Sequence, residues 1–98
     1  MGKYLLLWSL NVNHIPADPK ERAAGWGQLM DMVKQDLQKG LQTDWGSFPG
    51  ENMGYCIVKG NHLDVMKMTQ QYAPYVDFEV HASATVEDVG ELLKHLSG

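Results

Sequence analysis

The order in which strand-like and helix-like segments follow one another constrains this chain more than any single residue does. An apolar run, Tyr4 to Leu10, precedes a helical segment from Pro19 to Lys39. A hairpin-like pair follows, Thr43 to Phe48 and Met53 to Lys59. Then come a second helical segment, Leu63 to Ala73, and an alternating strand, Val76 to Ala82. With 98 residues there is material for one domain, residues 1–98, with one core and little surplus.

The local signals support each segment. Asp18 is placed to cap the first helix, with Pro19 at its first position and Glu21 three residues after the cap. Ala23, Trp26, Met30, Val33 and Leu37 follow at helical spacing, and Gly40 ends the run. Pro49 to Asn52 is turn chemistry. Asn61 caps the second helix, whose inner stripe is Val65, Met68 and Tyr72, and Pro74 stops it. Thr85 with Asp88 starts a further helix with the stripe Val86, Val89, Leu93 and Leu96. Strand, helix, strand, strand, helix, strand is the split βαβ plan, so the expected fold is a ferredoxin-like α+β domain with an added C-terminal helix.

Charge and cysteine content remove several function classes. Net charge is −4 with no Lys/Arg cluster, which argues against nucleic acid and against anionic membrane surfaces as partners. Cys56 is the only cysteine, so no internal disulfide forms, in keeping with a reducing cytoplasm. Leu5 to Trp8 is too short for a signal peptide's apolar core or a membrane span. The expected location is therefore cytoplasmic. Met53 to Val58 echoes the third-strand motif of RNA-recognition domains, but Met53 and Ile57 stand where that motif has a basic residue and an aromatic. Asp77 and Glu79 would also repel phosphate, so shared strand geometry explains the echo.

Alternation assigns faces. Val76, Phe78 and Val80 are expected to face the helices, with Gly54, Cys56 and Val58, and with Tyr4, Leu6, Trp8 and Leu10. The opposite face would then carry Leu5, Leu7, Met53, Tyr55, Ile57 and Trp45. Leaving that surface wet costs about 25 cal/mol per Å², and monomers rarely expose such patches. A second copy is the simplest cover, giving a homodimer, and the C-terminal helix is another. The polar row Asp77, Glu79 and His81 would border the enclosed space.

Three segments carry a family resemblance: Trp45-Gly46, Gly54 to Val58 and Val76 to Val80. They resemble the dimeric α+β-barrel superfamily, in which two ferredoxin-like subunits pack their sheets into one barrel. Within it they resemble a small bacterial and archaeal family of unknown function. The resemblance implies a homodimer with a pocket between sheet and helices or between sheet and sheet. It implies no one reaction, since relatives include cofactor-free monooxygenases, isomerases, haem-degrading enzymes and ligand-binding regulators. The haem degraders use an Asn, Trp and His set with the Trp in the second half, and this chain has no Trp after Trp45. No cofactor is called for.

Asp77-x-Glu79-x-His81 is the strongest polar constellation, with Glu79 placed to orient His81 as a general base. It makes a poor metal site, because Asp77 and His81 lie roughly 13 Å apart along a strand. The plain alternative is a solvated strand face. Asn11 and His14 follow the first strand and are candidate ligand contacts at a pocket mouth, with Asp77 as a neighbour; ordinary turn residues are the alternative. Tyr55 and Trp45 are candidate pocket walls or interface residues. The expected function is binding of a small, mostly apolar molecule at the open sheet face, with cofactor-free conversion if His81 and Glu79 are catalytic. The alternative is a non-catalytic assembly or ligand-sensing module.

Overall fold

The computed structural model describes residues 2–98. Their elements are β1 (Gly2–Leu10), a single 3-10 turn (Val12–His14), α1 (Pro19–Lys39), β2 (Gln42–Ser47), β3 (Met53–Gly60), α2 (His62–Gln70), β4 (Val76–Ser83) and α3 (Val86–Ser97). The four strands form one open antiparallel sheet in the order β2-β3-β1-β4. The protein is thus α+β, and its strand order is compatible with the plan read from the sequence.

β1 lies at the sheet's centre because its inward residues are its largest. Tyr4, Leu6 and Trp8 are buried together with Cys56, Val58 and Val76 from the neighbouring strands. Val33 of α1, and Val65 and Met68 of α2, close the core from the helix side, with Tyr72 beyond the end of α2. Trp8 stacks on Trp45, with ring centroids 5.4 Å apart and planes 9° apart, and meets Trp26 edge-on at 6.0 Å. Its indole Nε1 donates to the Gly46 and Tyr55 carbonyls at 3.2 Å each. Gly54 makes this possible: a Cβ there would stand 2.1 Å from the Gly46 oxygen and 2.6 Å from the Trp8 ring.

Three differences from the sequence reading have physical causes. Helix two ends at Gln70 rather than Ala73. Tyr72 and Ala73 donate to Thr69 and Gln70, so the chain tightens into i→i−3 turns ahead of Pro74. The buried face of α1 is turned from the expected stripe. Leu37 is 39% exposed, whereas Asp36 is 2% exposed, its carboxylate satisfied by partners on β2 and after α2. Trp45 lies on the helix side, not the open face, because it pairs in register with the inward Cys56 and stacks on Trp8.

α3 stands apart. Thr85 and Asp88 form a capping box at its start, with bonds of 2.9 and 3.1 Å, yet the helix buries no residue. Val86 is 85% exposed and Leu96 71%. The molecule extends 61 Å along its longest axis. Among the described residues, no helix is long and apolar enough to cross a membrane.

Candidate functional site

A cavity of about 260 Å³ opens where β1 runs out into the 3-10 turn, beneath the N-terminal half of α1. Antiparallel pairing brings the end of β1 beside the start of β4, so the loop after β1 meets the turn before β4. The Asn11 N–H donates to the Tyr75 carbonyl at 2.9 Å. Asn11 Oδ1 accepts from the Asn13 N–H at 3.1 Å, which fixes the turn. His14 sits edge-on to Tyr75 with centroids 5.5 Å apart. Asn11 and His14, both expected at a pocket mouth, do line this cavity, but the β4-side neighbour is Tyr75 in place of Asp77.

The cavity's wall is apolar: Leu10, Ile15, Trp26, Leu29 and Met32. Arg22 supplies the positive charge. It lies one helical turn before Trp26, on the same face as Trp26 and Leu29. One guanidinium nitrogen donates to the Ala17 carbonyl at 2.9 Å, which steadies the side chain. The two ion pairs among the described residues involve other groups, so Arg22 has no carboxylate partner there. Arg22 and Tyr75 escaped the sequence reading. The available signal was a cation in register with an apolar helical stripe.

A smaller cavity of about 30 Å³ lies deeper between α1 and the sheet, and it shares Leu10, Trp26 and Leu29 with the first. Trp45, Cys56, Gln42 and Tyr72 line it. Here the Tyr72 hydroxyl donates to Asp36 Oδ2 at 2.7 Å, and Gln42 Nε2 donates to the same oxygen at 3.0 Å. Gln42 Oε1 is buried without a protein partner. Burial, then the Asp36 charge, pushes the Cys56 thiol up to about 12, so it is no nucleophile near neutral pH. Burial also raises the Tyr72 phenol, helped by its bond to Asp36.

The remaining site residues lie on the other face of the sheet. Tyr55 donates its hydroxyl to Asp44 Oδ2 at 2.9 Å, which raises its pKa, and its ring lies over Gly46 beside Phe48. His81 Nε2 is 3.6 Å from Glu79 Oε2, with both side chains more than half exposed. Asp77 pairs in register with Ser9. Among the described residues, no group of three His, Cys, Asp or Glu is placed to hold a metal ion. The expected constellation therefore divides in three: Asn11 and His14 at the cavity, Trp45 in the core, and Tyr55, Asp77, Glu79 and His81 on the open face. No protein-family model matches this chain and no curated protein matches it significantly.

Proposed function

We propose that the protein is a homodimer of ferredoxin-like subunits, of the dimeric α+β-barrel type, that binds a small, mostly apolar molecule carrying an acidic group. The supporting observation is the cavity at the end of β1, whose apolar wall holds one cation without a carboxylate partner, Arg22. Small-ligand sites commonly combine an apolar wall with a few convergent polar groups. Trp26, Leu29 and Met32 take the apolar body. Arg22, with His14 and Asn11 beside it, takes the acidic end, and four of the five guanidinium donors remain for it. The half-buried Leu7, Tyr55 and Ile57, with the exposed Leu5, form the face that a second copy covers.

Calorimetric titration with octanoate and octanol tests the ligand class. The wild-type protein should bind octanoate roughly tenfold tighter or more, a charge-assisted contact being worth at least about 1.5 kcal/mol. Arg22→Gln should bring the two affinities together. Binding of neither probe, or equal binding of both by the wild type, overturns the proposal.

One observation favours a second reading. Glu79 stands beside His81 at 3.6 Å on a face that dimerisation would enclose, an arrangement suited to a general base and its orienting carboxylate. In that case His81→Ala abolishes turnover of the bound molecule and leaves assembly unchanged; retained turnover rejects it.

A further inference from the structure

We infer that α3 is an exchanged arm: in the homodimer proposed above, on which this inference rests, the apolar stripe of each α3 lies on the Lys3–Leu5 end of the other copy's open sheet face, beside the sheet-to-sheet contact. A helix of 12 residues is marginal in water on its own, since nucleation is costly and its stability comes mainly from packing. α3 has well-made ends and an apolar stripe, but its own chain gives that stripe nothing to pack on. Val89, Leu92 and Leu93 are 46%, 52% and 59% exposed. Only Ala84 and Thr85 separate β4 from α3, and the helix runs outward from the end of the sheet.

Three observations make a second copy the occupant. The first is area. A compact monomer of 11.0 kDa exposes about 5,600 Å², whereas this chain exposes 6847 Å². The excess of about 1,200 Å² exceeds one partner's usual share of a stable interface, about 800 Å². The second is self-complementarity. The same chain carries a bare apolar helix and a bare apolar sheet face, and a two-fold pair satisfies both at once. The third is charge. Lys3 and Lys59 are cross-strand neighbours at one end of the open face, and neither takes part in the ion pairs of the described residues. α3 carries Glu87, Asp88 and Glu91 in its first half. Glu91 pairs with Lys94 at 3.6 Å and Glu87 lies on the side away from the stripe, so these charges bias the direction in which the arm approaches rather than pairing across the contact.

The test uses the full chain. The wild type should run as a dimer in light scattering, and Leu92→Glu with Leu96→Glu should weaken dimerisation by at least about 100-fold, two buried leucines being replaced by charges. A second measurement does not depend on that variant folding. In a Cys56→Ala background, chains bearing Leu92→Cys are mixed with chains bearing Ile57→Cys or Leu5→Cys and oxidised. Cross-links between the two kinds of chain are expected. A monomeric wild type overturns both the homodimer and the arm. A wild-type dimer that forms no such cross-link, or that the leucine substitutions leave equally tight, overturns the arm alone.

Discussion

Asp36 Oδ2 accepts hydrogen bonds from both Tyr72 and Gln42, in a place where helical periodicity would put an apolar side chain. Burying a carboxylate is tolerable only with such partners, and removing it leaves the buried Tyr72 hydroxyl without an acceptor and takes one acceptor from Gln42 Nε2, which still reaches the Tyr72 oxygen at 3.3 Å. Asp36→Ala should therefore cost about 2–4 kcal/mol in urea unfolding, and Tyr72→Phe, which loses the phenol's bonds but keeps the one between Gln42 and Asp36, about 1–2 kcal/mol. The same cluster sets a pH limit. Cys56 and Tyr72 both have raised pKa values in the folded protein, so their neutral forms are the ones that folding favours. Their contribution is complete below the ordinary values of 9.0 and 10.0 and is lost as pH rises above them, the thiol's loss extending to about 12. Each group removes about 1.4 kcal/mol per pH unit in its window. Unfolding followed against pH should show stability falling from about pH 9, and Cys56→Ala should delay the fall to about pH 10.

Among the elements, those with chemistry at both ends were the most legible. α1 runs from Pro19 to Lys39 as read, because Asp18 accepts from the Glu21 N–H and Gly40 adopts φ 77°. The inward set Tyr4, Leu6, Trp8, Gly54, Cys56 and Val58 also followed from alternation. β2 was the least legible. Alternation separated Trp45 from Asp44 correctly but could not say which of them faces the helices. That depends on its irregular pairing between Gln42 and Asp44 and on a buried Gln42 whose partners lie six and thirty residues away. The cavity at the end of β1 was half legible: a loop rich in Asn and His marked its mouth, while Arg22 and Tyr75 are brought there only by the packing of α1 and the pairing of β4 with β1. Glycine positions test the element packing directly. Gly54→Ala should lose about 1–3 kcal/mol, since its methyl would meet backbone on one side and the Trp8 ring on the other. Gly27→Ala, in α1 with nothing within 4 Å, should gain about 0.5–1 kcal/mol. Urea midpoints of the two variants should move in opposite directions.

At the scale of the whole molecule, the proposed dimer answers to an extended shape and to exposed apolar surface. The Cα radius of gyration is 16.3 Å, against about 13 Å for a compact domain of this length. The difference comes from a helix whose apolar face points into solvent and from a sheet covered on one side only. In the proposed dimer, association recovers the free energy of both surfaces and couples folding to concentration. The melting temperature should therefore rise steadily with protein concentration, and helical circular dichroism should fall on dilution as α3 loses its support. In the Leu92→Glu, Leu96→Glu chain the melting temperature should be lower and independent of concentration. The open face gives the converse: Leu5→Glu and Ile57→Glu, on strands rather than on α3, should produce the same loss of concentration dependence. If only the helix substitutions did so, the arm would be seated elsewhere on the partner, and if neither did, the exposed area would need another explanation.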